Sequence, residues 1–302
     1  MNISSELQDF IDGNPSFKKN YKLDKLNWFN VGGEADYLFK PKNESELASF
    51  LKYAKGQIAF EVIGVGSNMI IRDGGYRGVI IKLGKEFKSI NLLENNKISV
   101  GCANLDINVA NFALAENISG LEFLSGIPGS IGGAVAMNAG AYGKEFKEVM
   151  CNVEGFDDMG NKIILSNSDM NYGYRFSNPI KKIIYSSVIL QGSRGYREDI
   201  AAKMKIIREE RELSQPVRAK TSGSSFKNPK GMKAWELIDK AGCRGLEIGG
   251  AKMSEKHCNF MINTGNATAK DLEDLGKEVV NKVWQKFFVK LEWEVKIIGD
   301  NL

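Results

Sequence analysis

The stretch that decides the fold runs from Gly120 to Gly143 and reads GLEFLSGIPGSIGGAVAMNAGAYG. Seven of its residues are glycine, and its one charged residue is a glutamate. Glycine allows positive φ and lets another group come close to the main chain. Pro128 suits the first turn of a short helix, and Ser130 can cap a helix over Ile131–Asn138. Because bare N–H groups at such a terminus attract anions, the run predicts a site where backbone groups hold a diphosphate.

This glycine run differs from two common phosphate-binding loops. It lacks the lysine of a P-loop and the strand–GxGxxG–helix layout of a dinucleotide-binding βαβ unit, so we expect the diphosphate to belong to a larger cofactor. A second glycine turn, Gly64–Asn68, precedes another apolar stretch. By itself it is more simply explained as a tight turn. Together, the two turns favour a ligand that lies between two small domains with its phosphates on both, where Ser67 and Asn68 can also donate hydrogen bonds.

The composition limits which classes of protein and which partners are possible. The chain has 302 residues, which is enough for two or three domains, with 41 basic and 37 acidic side chains and a net charge of +4. This balance argues against nucleic acid and suits an anionic small molecule. No apolar stretch reaches membrane-spanning length, and the acidic start (Glu6, Asp9 and Asp12) is unlike a signal peptide. We therefore expect a cytoplasmic protein with no membrane or nucleic-acid partner.

Cysteine and histidine usage excludes several kinds of site. The four cysteines, Cys102, Cys151, Cys243 and Cys258, form no CxxC pair, so we expect buried thiols and no metal. His257 is the sole histidine, which rules out a Ser-His-Asp triad and histidine-rich metal motifs. A lone histidine is usually structural, and exposure in a ligand cleft remains the alternative.

Hydrophobic periodicity and turn residues predict an α+β organisation. Asn43–Glu46 resembles a capping box before a helix. Met69–Arg72 and Val79–Leu83 are predicted as paired strands around a glycine turn, and Glu292–Ile298 as the final strand. The predicted domains are residues 1–83, 84–195 and 196–302.

Two further segments mix polar and aromatic residues. Gly223–Pro229 combines hydroxyls, a cation, an amide and one aromatic ring, which suits an anionic ligand but equally a solvated turn. Tyr172–Phe176 places Arg175 among aromatic residues. An arginine fork suits a carboxylate, although an arginine stacked on a surface tyrosine is slightly favoured without context.

Taken together, these motifs resemble the MurB family, flavin-dependent reductases of peptidoglycan precursor synthesis. The resemblance covers about residues 20–300 and is closest to the branch that lacks an inserted tyrosine loop. It extends through VGGEADYL (Val31–Leu38), IGVGSNMIIRDGGYRGVII (Ile63–Ile81), the Gly120–Gly143 run, NYGYRFS (Asn171–Ser177), GSSFKNP (Gly223–Pro229), GLEIGGAKMSEKHCNFMIN (Gly245–Asn263) and LEWEVKIIG (Leu291–Gly299).

The resemblance implies a fold and a reaction. The expected fold is α+β, with a two-lobed FAD-binding domain of the vanillyl-alcohol oxidase type and a C-terminal α/β substrate-binding domain. NADPH would reduce FAD, and a hydride would pass from flavin N5 to C3 of the enolpyruvyl ether of a UDP-sugar. C2 would take a proton, giving UDP-N-acetylmuramate. The expected partners are this small-molecule substrate and NADPH, and the expected state is a monomer.

The resemblance also assigns residues. Ser224 corresponds to the family's proton donor, with Ser225 as second choice, and Arg175 and Glu294 complete the catalytic set. Without the resemblance, Glu294 would be interpreted as a solvent-facing strand residue. The expected FAD contacts are Gly64, Val65, Gly66, Ser67, Asn68, Met69, Gly126, Pro128, Gly129, Ser130, Gly132, Gly133, Ala134, Asn138, Ala139 and Gly140. The expected substrate contacts are Tyr142, Tyr174, Lys227, Asn228 and His257.

Two alternatives remain open at this point. The first is a flavin oxidase of the same superfamily that acts on an alcohol, and many of these bind FAD covalently through histidine. The position of His257 in the third predicted domain argues against that linkage. The second is a nucleotide-sugar binding protein that keeps the scaffold without the chemistry, against which Ser224, Arg175 and Glu294 speak together.

Overall fold

A computed structural model describes residues 3–302. The chain divides into two compact units, each assembled from segments that are distant in sequence. The first unit contains the described residues up to Lys19 together with Tyr37–Gly64 and Gly78–Glu210. The second contains Asn20–Asp36, Val65–Arg77 and Arg211–Leu302. The three predicted domain boundaries stay predictions.

The chain contains both helices and largely antiparallel strands, as the α+β prediction expects. The helices are α1 (Ser5–Asp12), α2 (Glu44–Ala54), α3 (Asp106–Ala115), α4 (Ile131–Met137), α5 (Arg197–Ser214), α6 (Ala234–Lys240) and α7 (Ala269–Phe287). The strands are β1 (Phe17–Lys22), β2 (Glu34–Phe39), β3 (Phe60–Val62), β4 (Met69–Ile71), β5 (Tyr76–Ile81), β6 (Ile90–Leu92), β7 (Lys97–Gly101), β8 (Ile118–Ser119), β9 (Gly140–Ala141), β10 (Lys144–Glu145), β11 (Met150–Phe156), β12 (Lys162–Ser166), β13 (Ile184–Gln191), β14 (Ser193–Arg194), β15 (Glu247–Ile248), β16 (Ala251–Met253), β17 (Met261–Asn263) and β18 (Lys296–Ile298).

The first unit is built on an antiparallel sheet. Its five strands lie in the order β12-β11-β13-β7-β6, and the β13–β7 pair runs from Ser187↔Gly101 to Gln191↔Lys97. Alternate residues of β13 are buried, as expected for a sheet with one face on a core. Apolar residues of α3 and α4 join that core, which therefore lies directly behind the glycine run.

A second apolar cluster of the first unit surrounds α2. The side chain of Asn43 accepts a hydrogen bond from the backbone N–H of Glu46 at 2.9 Å, which confirms the predicted cap. The apolar face of the helix is fully buried and consists of Leu47, Phe50, Leu51 and Ala54. Local cap chemistry and helical spacing were sufficient to place this element.

In the second unit, α7 packs on a small sheet of β15, β16 and β17. Thr268 and Asp271 form a reciprocal capping box at its start. Its apolar stripe, Leu272, Leu275, Val279 and Val283, is fully buried, and Phe287 at the end of the stripe is partly buried.

One predicted strand pairing is wrong. β4 pairs in parallel with β18, with Met69 opposite Lys296, whereas β5 pairs in parallel with β3, with Val79 opposite Phe60. The backbone after β4 is also engaged by the C-terminal segment, since the Arg72 N–H donates to the Ile298 carbonyl at 2.9 Å. The final strand is shorter than predicted because residues 292–294 pair with the Gly223–Pro229 loop instead.

The expectation of buried thiols holds for three of the four cysteines. Cys102, Cys243 and Cys258 are buried and Cys151 is partly exposed, so the expectation is wrong for Cys151. Burial raises the pKa of the Cys258 thiol to about 11. Within residues 3–302, no helix is both long and apolar enough to cross a membrane.

Candidate active site

The two glycine turns meet within the first unit. A Cβ atom added to Gly64 would collide with the hydroxyl oxygen of Ser130, so the two main chains approach each other closely at this point. Ser130 occupies the position before α4, yet its side chain makes no capping hydrogen bond, contrary to the predicted cap. Its hydroxyl is instead directed at the neighbouring turn.

The glycine run is anchored from behind by the segment that connects β7 to α3. The N–H groups of Ile131 and Gly132 donate to the carbonyls of Asn104 and Cys102, both at 2.9 Å. On the other side, a Cβ added to Gly133 would have only the Ser130 hydroxyl oxygen near it, at 3.7 Å. The main chain at Gly133 is therefore accessible to a ligand, and the run suits the diphosphate of FAD.

Arg175 lies beside the same run. Its guanidinium donates from Nη2 to the carbonyl oxygen of Gly140 at 2.9 Å, and its carbon Cζ lies 5.0 Å from the centre of the Tyr174 ring. The backbone φ of Arg175 is +61°, in the left-handed region that non-glycine residues seldom adopt. Such strained positions are concentrated at functional sites, which supports a role in binding for this arginine.

Tyr142, a predicted substrate contact, is fixed at its polar end. Its hydroxyl donates to the carbonyl oxygen of Ile207 in α5 at 3.0 Å, while its ring packs over Gly126. Its side chain remains exposed on the other face. The ring can therefore offer a rigid surface next to the glycine run.

Residues 65–68 of the Gly64–Asn68 turn belong to the second unit. Gly66 has φ +69°, and a Cβ there would collide with the carbonyl of Leu26, so no other residue fits this position. The amide of Asn68 donates from Nδ2 to the carbonyl oxygen of Glu294 at 3.0 Å. A predicted cofactor turn and a predicted catalytic residue are thus in direct contact within this unit.

The Gly223–Pro229 loop lies on the other side of Glu294. The N–H of Glu294 donates to the carbonyl of Ser225 at 2.9 Å, and the N–H of Lys227 donates to the carbonyl of Glu292, also at 2.9 Å. The loop is therefore held as an additional strand rather than as a solvated turn, the alternative that the sequence left open.

A bulge presents Ser224. Lys220 pairs with Asn263 and Ser224 pairs with Phe260, so residues 221–223 lie opposite residues 261 and 262 only. The extra residue bends the strand, and Gly223 takes the turn with φ +81°. Next to it, Ser225 is fully buried, and its hydroxyl oxygen accepts the N–H of Met261 at 3.2 Å. Of the two serines, only Ser224 is partly exposed.

The remaining predicted substrate contacts also lie in the second unit. Lys227 Nζ is 3.7 Å from a carboxylate oxygen of Glu292, and its side chain is about one-quarter exposed. The amide oxygen of Asn228 accepts the N–H of Ala234 at 2.9 Å and so holds the start of α6. The Asn228 NH₂ group is the part of that side chain that could contact a ligand.

Asn259 is absent from the predicted site residues, yet it fixes the Gly223–Pro229 loop. This residue is almost fully buried, and its amide donates to the Phe226 carbonyl at 2.8 Å and accepts the Phe226 N–H at 3.0 Å. Its backbone carbonyl accepts the Ser225 N–H at 2.7 Å. A single polar residue within the apolar run Cys258–Ile262 was the available signal.

His257 is packed between aromatic rings. Its ring lies 4.6 Å from that of Phe260 and 6.4 Å from that of Trp235, and its Nδ1 accepts the N–H of Asn259 at 3.3 Å. Burial lowers the pKa of His257 below its ordinary value of 6.5. The ring is therefore neutral at pH 7. Through its hydrogen bond with Asn259, it supports the residue that fixes the Gly223–Pro229 loop.

This burial predicts a pH-dependent stability. Because the folded chain favours the neutral ring, the unfolded chain binds the proton more tightly, and the free energy of unfolding should fall as the pH drops below about 6.5. His257→Asn keeps an acceptor near Asn259 and should remove this dependence between about pH 7.5 and 5. Denaturant unfolding of the parent and the variant at several pH values measures the free energy of unfolding. Since no other histidine exists, an unchanged slope in the variant would contradict the assignment.

The fold and site define the class of a flavin-binding protein with a separate C-terminal domain. The family model described as "FAD binding domain" matches residues 35–164. The model described as "UDP-N-acetylenolpyruvoylglucosamine reductase, C-terminal domain" matches residues 215–298. The chain belongs to the UDP-N-acetylenolpyruvoylglucosamine reductase family.

Individual relatives support this membership over nearly the whole chain. The reductase of Rickettsia rickettsii (strain Sheila Smith) is 52% identical over 283 residues, covering 94% of this chain and 96% of the relative. That of Rickettsia akari is 50% identical over the same length. The crystal structure of the enzyme from Thermus caldophilus has a TM-score of 0.81 at 32% identity, covering 94% of this chain and 98% of the other. The resemblance, the fold class and FAD as cofactor are thereby confirmed.

Proposed function

We propose that this protein reduces the enolpyruvyl ether of UDP-N-acetylglucosamine to UDP-N-acetylmuramate, with NADPH as reductant, in the synthesis of peptidoglycan precursors. The observation that carries the proposal is a chain of two contacts in the second unit: Asn68 to Glu294, and Glu294 to Ser225. It joins a cofactor turn to the segment that carries Ser224. The protein acts in the cytoplasm as a monomer on small molecules, without nucleic-acid or membrane partners.

Bound FAD would supply the redox chemistry, as an acceptor of electrons from NADPH and a donor of hydride to C3 of the substrate. Residues of the glycine run and of the Gly64–Asn68 turn would hold it, mainly through the main chain. Gly133 supports this role because its backbone is open on one side, and Gly64 supports it because any side chain there would fill the space next to Ser130. The diphosphate needs no lysine in such a cradle.

Arg175 acts on the substrate carboxylate. Addition of hydride to C3 leaves negative charge that spreads into this carboxylate, and a fixed cation stabilises such charge most where water is excluded. Hydrogen bonding to Gly140 and the contact with the Tyr174 ring hold the Arg175 guanidinium before substrate arrives. Glu294 is the third residue of the proposed catalytic set, as the resemblance implies.

Ser224 gives its hydroxyl proton to C2. A serine hydroxyl is a weak acid, so it serves only when it is held beside a carbon that is more basic. The bulge at Gly223 and the pairing with Phe260 provide that constraint on the backbone of Ser224. Positioned proton transfer contributes about a hundred- to ten-thousand-fold to rate.

An anaerobic visible spectrum tests this function directly. We expect the purified protein to be yellow, NADPH to bleach it, and the enolpyruvyl UDP-sugar to restore the colour. Bleaching by an alcohol instead of NADPH would identify an oxidase. A colourless protein that takes up no FAD would identify the non-catalytic binding protein, and either result would overturn the proposal.

A further inference from the structure

The buried Asn138 connects the glycine run to the turn that carries Arg175. It ends α4 with φ 42° and ψ 52°, a left-handed conformation that asparagine tolerates better than most residues. Its side chain is completely buried. Because the whole residue is buried, the structure gives no support to the predicted contact of Asn138 with FAD.

All of the polar groups of the Asn138 side chain are used within the protein. Nδ2 donates to the carbonyl oxygen of Gly173 at 2.9 Å and to Oε2 of Glu145 at 3.1 Å. Oδ1 accepts the N–H of Lys147 at 2.9 Å. A buried amide that makes its full set of hydrogen bonds fixes the segments that it joins.

Gly173 is the first residue of the tight turn whose third residue is Arg175. The turn is closed by the Gly173 N–H, which donates to the Phe176 carbonyl at 3.0 Å. At its other end, the N–H of Ser177 donates to the carbonyl of Ala136 in α4 at 3.0 Å. The turn is thus held on both sides against α4 and the residues that follow it.

The guanidinium itself makes a third connection. Arg175 Nη2 donates to Gly140, and a Cβ added to Gly140 would lie 3.0 Å from Nη1, so the close approach depends on glycine. With Gly173 held at one end and the guanidinium at the other, the left-handed backbone of Arg175 has little freedom to relax. Removing the Gly173 connection would let the turn move away from α4.

We propose that Asn138 is a positioning residue that sets the place of the Arg175 guanidinium through the carbonyl of Gly173. This inference rests on the proposed function, in which Arg175 binds the carboxylate of the substrate. When a binding group is misplaced by about 1 Å, the rate of the reaction falls about a hundredfold. Loss of the Asn138 donors should therefore weaken substrate binding while leaving FAD in place.

Asn138→Asp is the primary test because it keeps the shape and the acceptor for Lys147 and removes both donors. In the holoenzyme we expect the dissociation constant of the enolpyruvyl UDP-sugar, measured by calorimetry, to rise about ten- to a hundredfold. FAD affinity and the rate of bleaching by NADPH should not change. Asn167→Asp is the control, since its Nδ2 likewise donates two hydrogen bonds, in its case to the backbone carbonyls of Lys147 and Met150, both at 2.7 Å.

A double-mutant cycle with Arg175→Ala separates positioning from a general structural effect. If Asn138 acts through Arg175, Asn138→Asp should have no further effect on substrate binding in the Arg175→Ala background. The proposal would be overturned if Asn138→Asp caused a full additional loss of substrate affinity in the Arg175→Ala background. An unchanged dissociation constant in Asn138→Asp alone would also overturn it. Unchanged binding in Arg175→Ala alone would instead refute the role of Arg175 in the proposed function.

Asn138→Gly provides a second variant if the aspartate prevents folding. Glycine adopts the left-handed backbone of this position without strain, so it removes the side chain and keeps the end of α4. The same rise in the dissociation constant is expected, again without a change in FAD affinity. Normal substrate binding in this variant would contradict the inference.

Discussion

Ser224→Ala should slow the restoration of the yellow colour by the enolpyruvyl UDP-sugar about a hundred- to ten-thousand-fold, while NADPH bleaches the enzyme at its normal rate. The hydroxyl is needed only for proton transfer to C2, which occurs after the reduction by NADPH. Ser224 is partly exposed at a bulge, so its replacement removes no buried hydrogen bond on which the fold depends. Stopped-flow absorbance under anaerobic conditions measures both half-reactions.

Ser225→Ala is the matched control for this experiment. Its hydroxyl is buried and accepts the N–H of Met261, so its loss should reduce stability by about 1–3 kcal/mol without a selective effect on the second half-reaction. Equal slowing of both half-reactions in Ser224→Ala would reject the proton-donor role. A selective effect in Ser225→Ala alone would transfer that role to the second-choice serine.

Gly129→Val should give a protein that does not retain FAD. The would-be Cβ of Gly129 lies 2.6 Å from a carboxyl oxygen of Asp106, closer than real contacts allow. Asp106 is fully buried, and within residues 3–302 neither of its carboxyl oxygens has a hydrogen-bond partner. It cannot yield without disturbing α3, whose first N–H donates to the Gly129 carbonyl at 3.2 Å. Overpacking of this kind costs about 1–3 kcal/mol and displaces the run.

In a simple phosphate cradle, the valine side chain at position 129 would be expected to fill the space of the ligand. Here the side chain would point into the protein. Gly133→Ala is the informative partner, because its Cβ meets the protein only at 3.7 Å. The FAD-free form of Gly133→Ala should be as stable as the parent, and weaker FAD binding there would report direct approach of the ligand to the run.

Both variants can be compared by thermal unfolding without FAD and by fluorescence titration with FAD. We expect a lower melting temperature and no retained flavin for Gly129→Val. A fully yellow Gly129→Val protein would contradict the packing argument. Asp106 adds a pH dependence, because burial raises the pKa of its carboxyl well above the ordinary value. Its contribution to the free energy of unfolding should fall as the pH rises above about 4, where the same carboxyl ionises in the unfolded chain.

Local signals in the sequence were reliable where short-range chemistry decides the structure. The cap at Asn43 was correctly predicted, because the interacting groups are three residues apart, and the capping box at Thr268 has the same spacing. The glycine positions were informative for a similar reason, since a positive φ or a close approach restricts the residue type locally. The predicted pairing of Met69–Arg72 with Val79–Leu83 failed, because a glycine turn between two apolar stretches indicates a hairpin only if no distant strand competes.

By itself, the sequence determined the family, the cofactor class and the loop that carries Ser224, since these depend on residue types in fixed local spacing. Only the tertiary structure decided which segments meet. Asn68 and the carbonyl of Glu294 are 226 residues apart along the chain, and Asn138 reaches Gly173 across 35. The physical reason is that a buried amide must find hydrogen-bond partners, but its sequence neighbours do not reveal which distant carbonyl the folded backbone will bring to it.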